Sequence, residues 1–420
     1  MAPKRLLFLS NGHGEDLNAT LILQALGRLD PTVAVAAMPI VGAGRAYTRL
    51  GVPIIGPTAA LPSGGFNYIH FGRWLNPRNW GQDRNPFSLL RDLGAGLVGL
   101  TWQQIQATRR HSRDCDLLFA VGDIVPIGFA WLTGRPFAAF LVSTSSYYEG
   151  RVKLPWLTQR ALRSPQCRQI FTRDAYTAQD LQRRGFPGVT FAGYPIMDTL
   201  TPTGKDLGGG DRPLVALLPG SRLPEAATNL GLMLQLCSAL ARQTGWGVGR
   251  FVGQAALVPS FTVGQIQAVA QAQGWTWQGH PDGSGDPQGG WLRQGETVVA
   301  YHHDAFADIL HQCSVAVGMA GTAVEQAVGL GKPVVQIPGP GPQFTYPFAE
   351  AQQRLLGPAV QTIGHGPATA TTLAQAAQRV AAILQDDDYR QRCLAIGQER
   401  VGAPGGAIAI AQQLLQHLSP

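Results

Sequence analysis

The sequence predicts an α/β protein made of two Rossmann-like, doubly wound domains. Short apolar strands alternate with helical segments from Arg5 onward, and the same alternation begins afresh at Leu214. Between the two series, residues 201–211 are rich in glycine and polar residues, which is typical of a linker. The chain has 420 residues, enough for two domains of ordinary size. We therefore predict an N-terminal domain over 1–200, the linker, and a C-terminal domain over 212–400.

The composition indicates a globular protein with acidic partners. Hydrophobic residues make up 45% of the chain and charged residues 14%, so large cores can be buried. The formal net charge of +7 favours phosphates, nucleotides or an anionic lipid surface as binding partners. Nucleic acid is not expected as a partner, because the sequence contains no long run of Lys and Arg and no nucleic-acid-binding motif.

The cysteines and the apolar segments point to the cytoplasm. The five cysteines are far apart in the sequence and form no C-x-x-C pair, which is typical of reduced thiols. The apolar run at residues 6–9 is too short for a signal peptide, and no stretch of about 18 apolar residues occurs. We expect a cytoplasmic protein that works peripherally on the inner face of the plasma membrane.

In the N-terminal half, three candidate catalytic residues follow predicted strands. Arg5 to Ser10 is the first strand, and the polar loop after it contains His13 and Asp16. A second buried strand, at 116–121, is followed by Gly122 and Asp123. Ligands bind beyond the carboxyl ends of strands in such folds, so Asp123 should face the same crevice as the first loop. The alternative for His13 is a loop histidine that is hydrogen-bonded to the backbone.

Residues 62–91 differ in character from the rest of the N-terminal half. Aromatic and apolar side chains alternate there with arginines, a pattern that suits the interface of an anionic membrane. The alternative is a loop packed on its own domain. For residues 92–105 the pattern favours a core helix.

The C-terminal half begins with a second strand, loop and helix. The strand Leu214 to Leu218 leads into Gly220, Ser221 and Arg222, and a helix is predicted from about Glu225. The planar guanidinium of Arg222 matches phosphate oxygens, so this loop is a candidate phosphate site. The alternative is a surface ion pair between Arg222 and Glu225.

The clearest βαβ unit of the sequence lies at residues 315–341. A short apolar strand runs into a turn of small residues that includes Ala320, Gly321 and Thr322, and a helix follows. The bare amides of such a turn and the positive end of the helix dipole form an anion site. Glu325, one turn into the helix, suits a ribose hydroxyl pair. The alternative is a capping box between Thr322 and Glu325.

The C-terminal segment and a pair of histidines lead to two further predictions. A final helix at 408–418 should place Ile408, Ala411, Leu415 and Leu418 on one face, and residues 401–420 are expected to pack back on the N-terminal domain. The pair His302 and His303 lacks the further ligand spacing of a metal site, so no metal is expected.

Three segments resemble the lipid-A-disaccharide synthases and their related glycosyltransferases. They are Phe191-Ala192-Gly193-Tyr194-Pro195, the stretch 217–225 with its Pro-Gly-Ser-Arg, and 318–340. The last is also similar to the lipid II-forming peptidoglycan glycosyltransferase, including Gln343 downstream. The resemblance implies the GT-B fold, in which two Rossmann-like domains face a central cleft. One difference lies in the first loop, where this chain has Asn11-Gly12-His13-Gly14-Glu15-Asp16.

The resemblance also implies roles for individual residues. A UDP-sugar would be bound by the C-terminal domain and a lipid acceptor by the N-terminal domain. The diphosphate would be held by Arg222 and the amides of Ala320, Gly321 and Thr322, and Gly220 and Ser221 would belong to the same donor site. Glu325 would bind the ribose, Gln343 would complete the donor site, and the 300–302 loop with Tyr301 would flank the uracil. Asp123 falls at the position of the family's candidate base, and His13 in a loop that approaches the acceptor.

Together these observations lead to an inverting transfer of a sugar from a UDP-sugar to a hydroxyl of a lipid or lipid-linked acceptor. Asp123 is the predicted base, with His13 and Asp16 as substitutes, and neither a metal nor a cofactor is required. The alternatives are a UDP-sugar 2-epimerase of the same fold and a non-catalytic relative that binds nucleotide-sugars or lipids.

Overall fold

A computed structural model describes residues 3–59, 96–243, 250–279 and 289–418 of the chain. The segment 62–91, predicted to contact a membrane, lies outside these residues. The chain divides into two compact units. The first comprises Met1–Asp198 together with Pro404–Pro420, and the second comprises Thr199–Ala403.

The first unit is built on a parallel sheet. Within the described residues, six strands pair side by side in the order β2-β1-β3-β4-β5-β6. The central strands are buried along their length because helices cover both faces of a parallel sheet. The strands are β1 (Arg5–Ser10), β2 (Ala34–Pro39), β3 (Leu117–Val121), β4 (Phe137–Leu141), β5 (Cys167–Thr172) and β6 (Val189–Thr190).

The helices of the first unit connect these strands. The N-terminus of α1 follows β1 and that of α4 follows β3, so both helices begin at the carboxyl end of the sheet. The helix predicted within 92–105 is described from Leu97 onward. The helices are α1 (His13–Leu29), α2 (Arg45–Thr48), α3 (Leu97–His111), α4 (Ile124–Leu132), α5 (Trp156–Leu162), α6 (Ala175–Arg183) and α14 (Gly406–Leu418).

The last helix, α14, belongs to the first unit and packs on α1. The carboxylate of Asp198 accepts hydrogen bonds from the amides of Gly405 and Ala407, the latter at 2.7 Å. The predicted apolar face was wrong in part, because Ile408 is 45% exposed. Ala411 and Leu418 of the predicted face are buried, and the other buried positions each lie one residue before a predicted one. Its buried side chains are Ala407, Ile410, Ala411, Leu414 and Leu418.

The second unit is built on a larger sheet. Eight strands of its described residues pair in the order β14-β13-β12-β7-β8-β11-β10-β9, and β10 is antiparallel to both of its neighbours. The other pairs are parallel. The strands are β7 (Leu214–Leu218), β8 (Val252–Ala256), β9 (Thr276–Gln278), β10 (Gly289–Gln294), β11 (Thr297–His302), β12 (Val315–Gly318), β13 (Val334–Gln336) and β14 (Val360–Thr362).

Helices again connect the parallel strands of the second unit. Two of them matter most for function, because α7 begins after β7 and α10 begins after β12, and these two strands are neighbours in the sheet. The helices are α7 (Glu225–Ala241), α8 (Val263–Ala272), α9 (Phe306–Gln312), α10 (Thr322–Gly329), α11 (Tyr346–Leu356), α12 (Ala370–Leu384) and α13 (Asp387–Arg400).

The predicted linker at 201–211 lies within the second unit and is hydrogen-bonded to it. The amides of Thr203, Gly204 and Lys205 all donate to Oδ1 of Asp308, at 2.9, 2.9 and 3.2 Å. The Asp308 side chain is buried at the start of α9. This segment is therefore fastened to the second unit, and the chain passes between the units at residues 198–199 and 403–404.

Candidate functional site

Two loops of the second unit meet where β7 and β12 end. The amide of Met319 donates to the carbonyl oxygen of Leu218 at 2.9 Å, which extends the pairing of the strands into the loops. Gly220 has a φ of +97°, and a Cβ at this position would lie 3.2 Å from the carbonyl oxygen of Met319. Only glycine takes this conformation at so close an approach without strain. The Gly220–Arg222 loop is thereby held beside the turn that precedes α10.

Four consecutive backbone amides lie at the turn before α10. The amide of Val324 donates to the carbonyl of Gly321 at 3.2 Å, and that of Glu325 to the same carbonyl at 3.3 Å. In the described part of the chain, no backbone carbonyl accepts from the four amides of residues 320–323. These groups lie at the positive end of the α10 dipole. The turn can therefore bind an anion through its backbone.

The capping box considered for Thr322 and Glu325 is not formed. The N-cap of α10 is Gly321, and Thr322 is the first residue inside the helix. Gly321 is a glycine and supplies no side-chain cap. Glu325 is a partly buried acidic residue of the first turn. Thr322 is therefore not the N-cap residue that a capping box with Glu325 requires.

The Glu225 carboxylate, considered as an ion-pair partner of Arg222, points to the loop after β13. Glu225 instead accepts hydrogen bonds from the amides of Gln343, at 3.1 Å, and Phe344, at 2.9 Å. This contact fastens the loop after β13 beside the start of α7. The side chains of Ser221, Arg222 and Gln343 are exposed, so all three are accessible to a ligand.

Buried amide side chains support the turn from below, and the sequence analysis did not identify them. Gln352 of α11 donates to the carbonyl of Gly321 at 2.8 Å, and Gln336 of β13 donates to Gln352. Gln336 in turn accepts from the hydroxyl of Thr362 at 3.2 Å. On the other loop, Asn229 donates to the carbonyl of Pro219 at 2.9 Å. The sequence feature that could have indicated this network is Gln336, a glutamine inside the otherwise apolar stretch 334–337.

Tyr301 does not occupy the predicted loop. Residues 300–302 belong to β11, where Tyr301 is fully buried and its hydroxyl accepts a hydrogen bond from the indole of Trp277 at 3.0 Å. The antiparallel partner β10 holds this segment in the sheet. Its side chain therefore cannot flank a bound base without leaving the core.

In the first unit, Asp123 lies beside the loop after β1, as predicted. Asp123 is the N-cap of α4, and its Oδ1 accepts from the amide of Val125 at 3.0 Å. The same oxygen accepts from the side-chain amide of Asn11 at 3.1 Å. The two residues follow β3 and β1, which are paired strands. Asp123 is partly buried, so it remains reachable from solvent.

Glu15 is a second carboxylate at this place, and the sequence analysis did not select it. Its side chain lies over Gly122, 3.3 Å from the position a Cβ would take, and it accepts a hydrogen bond from Ser143. Burial raises the pKa of Glu15 above its usual range. The hydrogen bond from Ser143 lowers this pKa, and the negative charge of Asp123 raises it. Two carboxyl groups whose charges interact are a common arrangement for proton transfer.

Asp16 is buried beneath the loop after β1. The Asp16 carboxylate is 3% exposed and accepts from Ser10 at 2.5 Å, and the Ser10 hydroxyl also contacts that of Tyr47 at 2.7 Å. Burial raises the pKa of Asp16 to about 7. The hydrogen bond from Ser10 lowers this pKa, and the negative charge of Glu15 raises it. Asp16 therefore lies beneath the surface, where it cannot reach an acceptor. His13 is the first residue of α1.

The described residues contain no group of three or more His, Cys, Asp or Glu side chains that could hold a metal ion. Their helices are all too short or too polar to cross a lipid bilayer.

Comparison with solved structures shows which fold these units form. CalG4, the calicheamicin glycosyltransferase, aligns with a TM-score of 0.60 at 14% identity and covers 100% of both chains. Spinosyn rhamnosyltransferase SpnG with thymidine diphosphate gives 0.56 at 15%, covering 98% of this chain and 100% of its own. The UDP-GlcNAc 2-epimerase of Neisseria meningitidis, bound to UDP-GlcNAc, gives 0.51 at 12%, with 99% of each chain covered.

No protein-family model matches the chain, and no curated protein sequence matches it. The similarity therefore lies in the three-dimensional structure, at identities far below those that carry function. The two α/β units, each with a predominantly parallel sheet, have the GT-B fold.

Proposed function

We propose that the protein is a glycosyltransferase that moves a sugar from a UDP-sugar to a hydroxyl of a lipid or lipid-linked acceptor with inversion. The observation that carries this proposal is the turn at 320–323, whose amides lack backbone acceptors within the described residues, beside the exposed Arg222. A diphosphate is the ligand that uses both features, because it presents several oxygens and two negative charges.

The leaving diphosphate needs hydrogen-bond donors and positive charge around it. Backbone amides and a guanidinium give charge-assisted hydrogen bonds worth about 1.5–3 kcal/mol each. Several such bonds stabilise the negative charge that develops on the diphosphate as the sugar leaves. Glu325 would accept from the ribose hydroxyls, and Gly220, Ser221 and Gln343 would line the same site.

The structural relatives agree with a nucleotide diphosphate as ligand. SpnG was solved with thymidine diphosphate and the Neisseria meningitidis epimerase with UDP-GlcNAc. The choice of UDP and the similarity to lipid-A-disaccharide synthase come from the three sequence segments described above.

In the first unit, Asp123 would act as the base. Its carboxylate would accept the proton of the acceptor hydroxyl while that oxygen attacks the anomeric carbon from the face opposite the diphosphate. The new glycosidic bond forms as the bond to the diphosphate breaks. Glu15, whose pKa is raised, would remain protonated over a wider pH range and so limit the repulsion between the two carboxyl groups.

The lipid nature of the acceptor is supported by surface features. Trp156 is 69% exposed and Leu157 43% exposed on α5, and the exposed residues Arg151 and Arg160 lie near them in sequence. Aromatic and apolar side chains mixed with arginines suit an anionic bilayer surface. Together with the arginine-rich segment 62–91, they support a peripheral position at a membrane.

The donor site can be tested by calorimetric titration with UDP. The variant Arg222→Gln should bind UDP about 10–150-fold more weakly, the equivalent of one charge-assisted hydrogen bond. Arg242→Gln, at the other end of α7, is the matched control and should bind as the wild type does. Absence of UDP binding by the wild type would overturn the proposal. Turnover is then tested with a panel of UDP-sugars and a total lipid extract, by mass analysis of new glycolipids.

Membrane contact is tested by flotation with vesicles of phosphatidylglycerol and phosphatidylcholine. The double variant Trp156→Ser, Leu157→Ser should float less, whereas Ile408→Ser on α14 should float like the wild type. Replacing Arg73, Arg78, Arg84 and Arg91 by Gln tests the 62–91 segment in the same assay. If the double variant and the arginine variant both float as much as the wild type, the membrane contact is contradicted.

A UDP-sugar 2-epimerase is the second candidate, because one structural relative has this activity. It requires no acceptor. This activity would be identified if NMR spectra showed that the protein alone converts UDP-GlcNAc. UDP binding without any product in either assay would indicate a non-catalytic binding protein.

A further inference from the structure

The sequence contains one Asn-Gly pair, Asn11-Gly12, and the structure places it directly after β1. Gly12 has a φ of 141°, a conformation that glycine adopts without strain. Because glycine has no side chain, it hinders least the approach of its backbone nitrogen to the side-chain carbonyl carbon of the preceding asparagine. The groups around Asn11 and Gly12 then decide whether the two atoms react.

A carboxylate lies over the backbone of Gly12. A Cβ built on Gly12 would be 3.1 Å from Oε2 of Glu15. Within the described residues, the N–H of Gly12 donates to no backbone carbonyl. Burial raises the pKa of Glu15, which makes its ionised form a stronger base. Glu15 is therefore a base placed beside a backbone nitrogen that the helix α1 does not use.

The side chain of Asn11 is held at one end only. Its Nδ2 donates to Oδ1 of Asp123 at 3.1 Å, whereas its Oδ1 is buried and has no hydrogen-bond partner in the described part of the chain. A buried carbonyl oxygen without a hydrogen bond is costly. The amide of Asn11 is thus fixed in place and destabilised at the same time, next to the nitrogen of Gly12.

We propose that Asn11 and Gly12 form a self-modification site at which the Asn11 side chain loses ammonia. Glu15 takes the proton of the Gly12 amide, and the nitrogen attacks Cγ of Asn11. The bond from Cγ to Nδ2 breaks, and ammonia leaves with the proton that Glu15 returns. Water then opens the cyclic imide to aspartate or isoaspartate. The net reaction consumes one water and releases one ammonia, without an oxidant or a cofactor.

Conversion would change the end of β1 in two ways. Aspartate at position 11 puts a negative charge where Nδ2 now bonds Asp123, so an attraction becomes a repulsion. Isoaspartate adds a backbone atom just before Gly12, whose carbonyl accepts the first hydrogen bond of α1 at 2.8 Å from the amide of Asp16. Both products should therefore loosen the start of α1. The modification itself does not depend on the proposed function.

The test follows the purified full chain during incubation near neutral pH. Peptide mapping by mass spectrometry measures the fraction of Asn11 that has become aspartate or isoaspartate. Glu15→Gln should slow the conversion by about 100-fold, the lower end of what a general base contributes. Glu296→Gln, at an exposed position of the second unit, is the matched control and should convert as the wild type does. Asn18, buried in α1 and followed by alanine, should stay intact in the same digest.

Two further measurements separate catalysis by the folded site from other causes. Ser143→Ala removes the hydrogen bond that holds the Glu15 carboxylate, and it should also slow the conversion. In concentrated urea, where Glu15 is no longer held over Gly12, the wild type and Glu15→Gln should convert at the same rate. An intact Asn11 in the folded wild type overturns the proposal. So does equal conversion of folded wild type and Glu15→Gln, or a difference between them that persists in urea. UDP titration bears on the second unit alone, so its failure leaves this proposal standing.

Discussion

The side-chain amide of Gln352 donates a 2.8 Å hydrogen bond to the carbonyl oxygen of Gly321, the N-cap residue of α10. Gln352 is itself held by Gln336, and Gln336 by Thr362, so a buried chain of polar groups leads from β14 to the turn. The chain fixes the plane of the peptide that follows Gly321. It thereby fixes the direction of the amides that we propose for the diphosphate.

Replacing Gln352 by Met should therefore weaken both the fold and the site. The change keeps the volume but leaves the buried amide of Gln336 without its acceptor, at a cost of about 1–3 kcal/mol in the free energy of unfolding. UDP affinity should also fall. Urea denaturation and calorimetry check the two effects. Gln378→Met, exposed on α12, is the control and should alter neither quantity.

Gly318 is expected to tolerate no side chain. A Cβ at this position would overlap a methyl group of Val324, where α10 packs closely against the end of β12. We expect Gly318→Ala to lower the free energy of unfolding by about 1–3 kcal/mol. Gly264→Ala in α8, where nothing lies within 4 Å, should instead raise it by up to about 1 kcal/mol. Equal stability of the two variants in urea would show that the packing around Gly318 relaxes freely.

Asp16 should make the stability of the protein depend on pH. Its pKa in the folded state is about 7, above the ordinary value near 3.8, so the folded chain keeps a proton that the unfolded chain releases. Between these values stability therefore falls as the pH rises, by up to about 1.4 kcal/mol per pH unit. Urea denaturation at pH 5, 6, 7 and 8 measures the slope. Asp16→Asn should flatten it, and an unchanged slope would contradict the assignment to Asp16.

Asp123→Asn should abolish most of the proposed turnover without unfolding the protein. Asparagine can still cap α4, because its side-chain oxygen can accept from Val125. Loss of the base should lower kcat by about 10²–10⁴-fold. Asp114→Asn, at an exposed position, is the control. Full turnover of Asp123→Asn with purified acceptor would show that the base lies elsewhere.

The sequence allowed the repeated strand and helix pattern to be predicted, because apolar strands and glycine-rich turns are local signals. The adjacency of Asn11 and Asp123 also followed, since parallel strands end at one edge. Tyr301 was misplaced by the family resemblance, which puts residues 300–302 in a loop, whereas β11 continues to His302 and pairs with β10. The start of α10 is not fixed by a local pattern either, because the backbone makes Gly321 the N-cap and Thr322 the first residue of the helix.

Side-chain partners that do not lie at neighbouring strand ends could not be predicted. Nothing near Gln352 in the sequence points to Gly321, 31 positions away. Glu15 was passed over for Asp16, its neighbour, because a helix turns successive side chains to different faces and the sequence does not show which face is inward.

The return of α14 to the first unit has a consequence for how the protein can be divided. Residues 199–403 form one uninterrupted insertion, whereas the host domain is assembled from two separate stretches of chain. A gene fragment for 199–403 should yield an autonomously folding domain suitable for UDP titration. A fragment ending at 198 would leave the surface of α1 that packs on α14 uncovered, and joining residue 198 to residue 404 through a short linker should restore a soluble host.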